Sequence, residues 1–302
     1  MRIFRHESLF EISQYLENQL AKQSILSFCV PNPDLGAGCY TGEVIEGTNI
    51  IHRSWSVWFD LAERHVCRFA TPTLYGEHFV CLTFTKIVMV SNSETNLDKH
   101  EKYGAESEFG RITKLEESDF LLTYLEALER IKPQAGERIL SLGINTGKEF
   151  RVFDYLSLSQ KLQFTGIDYS ETALEKAKVT FPSENYQFIH ADINDIARLE
   201  LGTFDLVMAL GTLQSPGIDD RSVLRYLVQH CAHSSSRLLF AFPNSTHIGT
   251  ERSYGARMKN FRQPDLSLLV KDAAYYRKYL HQHKFKVFIT GKHYLFITAI
   301  PI

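Results

Sequence analysis

From residue 138 onward short apolar runs alternate with amphipathic stretches, and no other feature constrains the fold as much. The runs fall at 138–142, 164–167, 186–189, 204–210 and 237–242, with helical periodicity between most of them. Strand, helix and strand in succession require right-handed crossovers, hence a mainly parallel α/β sheet with helices on both faces. Two final runs, 285–289 and 294–299, flank Thr290-Gly291-Lys292-His293. That turn is too short for a crossover, and Gly291 suits a positive φ, so an antiparallel hairpin at the sheet edge is predicted. A helical pattern through Phe120, Leu121, Tyr124, Leu125 and Leu128 precedes the first strand and stops at Lys132-Pro133.

The first hundred residues follow another rhythm. Leu9, Ile12, Leu16 and Leu20 mark an amphipathic helix between about 7 and 23. Trp55, Val57, Phe59 and Leu61 then alternate with Ser54, Ser56, Trp58 and Asp60, and apolar runs follow at 65–70 and 78–90. Period two predicts an antiparallel meander. Residues 91–99 are polar and aperiodic, a linker signal. The expected division is an N-terminal α+β antiparallel module over 1–98 and a doubly wound domain over 99–302.

Composition bounds the rest. The chain has 302 residues, 44% hydrophobic and 23% charged, which suits a globular protein of roughly two domains. It has no run of about 18 apolar residues and a polar start, so no membrane association and a cytoplasmic location are expected. Cys29, Cys39, Cys67, Cys81 and Cys231 form no CxxC pair, which favours reduced thiols. Residues 1–110 hold 9 Lys/Arg against 14 Asp/Glu, whereas residues 250–302 hold 10 against 3.

In a doubly wound sheet the ligand sits at the carboxyl ends of the strands, near the point where strand order reverses. The turn after the first strand, Gly143-Ile144-Asn145-Thr146-Gly147-Lys148-Glu149, falls there. Its glycines are too close for a P-loop, and Glu149 stands where a hydroxyl residue is needed. Asn145 and Lys148 occupy two glycine positions of the dinucleotide fingerprint, so a pyrophosphate fits poorly. Asp168 ends the second strand, where a carboxylate can accept ribose hydroxyls. Asp192 and Ile193 follow the third strand, placed to accept from an adenine amino group and to pack on its ring. Ribose and adenine without phosphate point to S-adenosylmethionine.

Segments 140–147, 165–170, 190–193 and 204–214, in this order, make residues 110–302 resemble a class I S-adenosylmethionine-dependent methyltransferase. The resemblance implies an enzyme with a seven-stranded Rossmann-like sheet, strand order 3-2-1-4-5-7-6, the seventh strand antiparallel, and S-adenosyl-L-methionine as cofactor. By position it implies Gly143, Asn145 and Gly147 at the methionine half, Asp168 at the ribose and Asp192 and Ile193 at the adenine. Ala209, Leu210 and Gly211 would form the fourth-strand wall, with Tyr169 also among the cofactor contacts. Two departures are plain: the family usually has an acid where Ser141 stands and a glycine where Asn145 stands. Asparagine tolerates left-handed backbone, so Asn145 can still make the turn.

Methyl transfer from a sulfonium is an in-line displacement, so alignment of the acceptor matters most, with a base only where the acceptor must lose a proton. After the fourth strand the chain reads Ala-Leu-Gly-Thr-Leu-Gln-Ser-Pro, without the Asn-Pro-Pro-Tyr of amino-methylating nucleic-acid enzymes. No Pro-Cys of cytosine C5 enzymes occurs either. Leu213-Gln214 resembles a pair in small-molecule methyltransferases of the ubiquinone and menaquinone biosynthesis type, and a small-molecule acceptor is expected. Candidate acceptor-site residues are Gln214, His247 as a base, Tyr254, and Tyr103, which could close over the cofactor. The basic C-terminal region keeps an RNA acceptor as the alternative, and a non-catalytic binding protein on the same fold is a third reading. The acidic N-terminal block suits a lid or a homodimer-forming module better than a nucleic-acid surface. His230, Cys231 and His233 do not converge on one helix face, and His281 and His283 read as the polar end of the last helix, so no metal is expected.

Overall fold

The computed structural model describes residues 1–87, 111–248, 251–255 and 266–302. The expected linker at 91–99 and Tyr103 lie outside these residues. The chain divides into two compact units, one of residues 1–91 with 247–253 and one of residues 92–246 with 254–302.

In the first unit β1 (Arg2–Ile3) leads to helix α1 (Leu9–Leu20). Ser8 starts this helix with a capping box, its hydroxyl accepting from the Glu11 N–H while the Glu11 carboxylate accepts from the Ser8 N–H. Then come β2 (Ile25–Pro31), α2 (Trp55–Arg64), β3 (Cys67–Phe69), β4 (Thr73–Tyr75) and β5 (Phe79–Lys86). The sheet order is β1-β2-β5-β3, with β4 also paired to β5. Its core holds Phe4, Leu16, Phe28, Trp58 and Phe84, with the Phe28 ring 5.1 Å from Phe84 and 5.8 Å from Phe4.

One expectation is corrected here. Residues 55–61 are not a strand of a meander but most of α2. The alternation of Trp55, Val57, Phe59 and Leu61 leaves Trp58 on the wrong face, and Trp58 is the best-buried residue of the segment while Phe59 is exposed. Trp55, Trp58, Leu61 and Ala62 pack together instead, a helical spacing.

In the second unit α3 (Ser118–Ile131) ends at Lys132, in left-handed conformation just before Pro133. There follow β6 (Arg138–Leu142), β7 (Gln163–Asp168), α4 (Glu171–Thr180), β8 (Tyr186–His190), β9 (Phe204–Leu210), α5 (Asp220–Tyr226) and β10 (Ala232–Pro243). A separate two-stranded sheet, β11 (Ser245–Ile248) and β12 (Glu251–Tyr254), follows β10. Its residues 247–253 group with the first unit, where Glu251 pairs with Arg68 at 2.8 Å. Helix α6 (Ser267–Gln282) and strands β13 (Phe285–Thr290) and β14 (Tyr294–Pro301) complete the chain.

The large sheet runs β13-β14-β10-β9-β6-β7-β8. Numbered from β6 within this sheet and read from β8, the order is 3-2-1-4-5-7-6. The β6–β7, β7–β8, β6–β9 and β9–β10 pairs are parallel, whereas β14 is antiparallel to both β10 and β13. The hairpin therefore puts β13 at the edge and β14 one place inside. Along β9, Leu206, Met208 and Leu210 join one core with Phe120, Tyr124 and Phe296. Val207 and Ala209 join the other with Leu224, Phe240 and Tyr276. Burial on both faces is why these strands read as continuous apolar runs. From β6 the chain winds out to β7 and β8, then returns to β9 on the other side, so strand order reverses between β6 and β9.

Candidate active site

The turn after β6 fills this reversal point. Gly143 has φ +63°, and its N–H donates to the Ile167 carbonyl at 2.7 Å. A Cβ on Gly143 would stand 2.2 Å from the Thr212 side chain, whose hydroxyl donates to the Leu142 carbonyl at 3.0 Å. Glycine is required there both for conformation and for space. Asn145 (φ +50°) and Gly147 (φ +72°) are also left-handed, and the Asn145 side-chain oxygen accepts from the Thr146 N–H at 2.8 Å.

Asp168, at the end of β7, is 6% exposed. One carboxylate oxygen accepts from the Asn145 N–H at 2.7 Å and the other from the Ser170 N–H at 2.9 Å. Burial raises its pKa, opposed by the N–H groups of Ser170, Asn145 and Tyr169. A carboxylate has about four lone-pair sites, so with three N–H groups on it about one acceptor site remains for a hydroxyl. Ala191 N–H donates to the Asp168 carbonyl at 3.0 Å and His190 Nε2 lies 2.8 Å from the Tyr169 carbonyl, which tie the ends of β7 and β8 together. Asp192 is exposed and caps the 3-10 turn Ile193–Leu199 through the Asn194 N–H, whereas Ile193 is buried in the core.

A narrow crevice opens at the carboxyl ends of β6 and β9, lined by Ser141, Leu142, Gly143, Ile144, Gly147, Glu149, Phe150 and Leu210. Three expected residues, Gly143, Gly147 and Leu210, meet there; Asn145 and Asp168 are hydrogen-bonded to each other, and Ala209 lies buried behind. Sequence reasoning missed an ion pair at this crevice. The Lys114 ammonium donates to Glu149 Oε1 at 2.8 Å and to the Leu210 carbonyl at 3.1 Å. Burial acts to lower the Lys114 pKa, but the charges around it, Glu149 foremost, hold it above its ordinary value. Lys114 and Glu149 are 35 residues apart, so no local pattern links them; the one available signal was an acid just past Gly147 in a turn without one at Ser141.

The acceptor candidates are dispersed. Gln214 is exposed and its carboxamide nitrogen donates to the Gly211 carbonyl at 2.7 Å. His247 groups with the N-terminal unit, while Tyr254 groups with the sheet unit, its ring edge-on to His293 at 6.0 Å. The histidines near 230 go to separate partners. His230 stacks on Tyr226 and His233 Nε2 lies 3.2 Å from the Asp205 carboxylate. Cys231 is in the core, its thiol pushed up to about 11 by burial. His283 caps α6, with Nδ1 2.9 Å from the Tyr279 carbonyl. Among the described residues no helix is long and apolar enough to cross a membrane.

Residues 139–233 match the family described as Methyltransferase domain. No curated protein matches the chain. Among solved structures it is similar to a SAM-dependent methyltransferase from Aquifex aeolicus, at 14% identity and TM-score 0.46 over 68% of this chain and 100% of that one. It is also similar to the fibrillarin pre-rRNA processing protein of Methanococcus jannaschii (15%, TM-score 0.41, 55% and 67%). A third is the precorrin-6y C5,15-methyltransferase of Geobacter metallireducens (12%, TM-score 0.41, 58% and 87%). The sheet and the family match define a Rossmann-like methyltransferase domain. Over residues 139–233 the chain carries a methyltransferase domain.

Proposed function

We propose that this chain is an S-adenosyl-L-methionine-dependent methyltransferase acting on a small-molecule acceptor, with the cofactor seated at the carboxyl ends of β6, β7 and β9. Bound there, the cofactor supplies an electrophilic methyl group on a sulfonium. The chain's own part is to bind and orient. Gly143, Asn145 and Gly147 keep the turn close-packed at the methionine half, and Asp168 offers its remaining acceptor site to a ribose hydroxyl. Asp192 and Ile193 serve the adenine end, Tyr169 adjoins the ribose, and Ala209 and Leu210 wall the site. The observation that carries the seat is the bond from the Asn145 N–H to Asp168, which brings the glycine turn and the strand-end carboxylate to one place.

The acceptor reading rests on the segment after β9. Gln214 spends its N–H on Gly211, leaving the carboxamide oxygen to accept from a substrate hydroxyl or amine. Tyr103, His247 and Tyr254 remain secondary candidates for the acceptor side, and the N-terminal unit is the candidate for acceptor choice. The test is transfer of labelled methyl from S-adenosylmethionine to a metabolite extract, run beside an RNA fraction. Label should enter a low-molecular-weight product. Label in RNA, lost when Arg257 and Lys259 are reversed in charge, would replace this reading with the RNA one. Tight cofactor binding with no transfer to either fraction would make the chain a binding protein.

A further inference from the structure

The amino-acid end of S-adenosylmethionine is a zwitterion, with an α-ammonium beside an α-carboxylate. A crevice that takes it must answer both charges, because either one placed against apolar walls alone is costly. Of the residues lining the crevice, Ser141, Leu142, Gly143, Ile144, Gly147, Phe150 and Leu210 are neutral and Glu149 alone is charged. The cation bound to Glu149 is Lys114, and their side chains are 24% and 20% exposed, Lys114 first. We infer that Glu149 and Lys114 form the amino-acid-recognising end of the cofactor site, Glu149 receiving the α-ammonium and Lys114 the α-carboxylate. This rests on the cofactor assignment above and goes beyond it by naming groups outside the glycine turn.

Stoichiometry of donors and acceptors supports the assignment. Lys114 has three N–H donors and uses two, on Glu149 Oε1 and the Leu210 carbonyl, so one remains for a carboxylate. Glu149 has a second oxygen to accept from an ammonium. The pair can therefore stay closed while the zwitterion lies antiparallel beside it, with opposite charges facing along the contact. A neutral pair meeting a neutral zwitterion adds no net charge to the crevice. Lys114 sits on the 3-10 turn Lys114–Glu116 and Glu149 on the turn Lys148–Arg151 directly after Gly147, so both charges are presented from short, backbone-bonded segments.

The test compares S-adenosylhomocysteine with 5′-methylthioadenosine, the same nucleoside thioether without the amino acid, by calorimetry on the full chain. Glu149→Gln and Lys114→Met should each weaken S-adenosylhomocysteine at least tenfold while methylthioadenosine stays within twofold, and Lys114→Arg should stay close to the wild type. The double variant Lys114→Met with Glu149→Gln leaves no unpaired charge behind, and it should show the same selective loss. An unchanged S-adenosylhomocysteine affinity in the double variant would overturn the inference. So would a parallel loss for both ligands, which is what a mere structural tie between the two turns gives. A wild type that binds neither ligand would instead bring down the cofactor assignment itself, and this inference with it.

Discussion

At the scale of single residues, the site depends on positions where backbone conformation and space leave no choice. Gly143→Ala combines a left-handed φ with a Cβ 2.2 Å from Thr212. It should cost about 1–3 kcal/mol in urea unfolding and weaken S-adenosylhomocysteine at least tenfold by calorimetry. Glu7 in the N-terminal unit gives a pH signature. Burial pushes its carboxyl up, but N–H groups of Arg5, Glu7 and His6 and the Arg2 guanidinium outweigh it and hold the pKa at about 2, below the usual 4.5. A depressed folded-state pKa means stability that is present above about 4.5 and is lost as pH falls from there through about 2. Glu7→Gln should flatten thermal unfolding of that unit across this window while leaving its slope at neutral pH unchanged. The glycines and Asp168 could be read in the sequence because each sits at a strand end within a few residues of its partner motif. Lys114 and Glu149 could not, since only the folded chain brings them together.

At the scale of elements, legibility followed burial. Strands covered on both faces, such as β9, announce themselves as unbroken apolar runs, and α3 stops where Lys132-Pro133 says it must. Helix α2 was misread because a ten-residue amphipathic segment with two tryptophans satisfies both periods until the burial of Trp58 is known. The β11–β12 pair leaves no signal in the sequence because its strands are short and mostly polar, with no alternation to find. The β13–β14 hairpin was found from its turn, and that turn makes a prediction. Gly291 has φ +100°, and a Cβ there would lie 2.0 Å from the Tyr294 carbonyl, which is backbone and cannot yield. Gly291→Ala should destabilise the sheet unit by about 2 kcal/mol or more, because β14 is an inner strand. Hydrogen exchange should show the loss concentrated in β13 and β14.

At the scale of the whole molecule, two units carry separate cores and the crevice residues all belong to one of them. Phe84→Ala removes a fully buried ring from the other core and should destabilise that unit by about 3–5 kcal/mol. Hydrogen exchange of residues 1–87 should report the change, while S-adenosylhomocysteine affinity stays within twofold. The central claim is that the reversal point between β6 and β9 is an S-adenosylmethionine seat organised by Asp168. Its most direct test is calorimetric titration of the full chain with S-adenosylhomocysteine, NAD and ATP, repeated on Asp168→Ala. The account predicts one saturable site for S-adenosylhomocysteine, weakened at least tenfold by the substitution, and no comparable binding of the phosphate-bearing nucleotides. A preference for NAD or ATP, or an S-adenosylhomocysteine affinity that Asp168→Ala leaves unchanged in a folded protein, would contradict it.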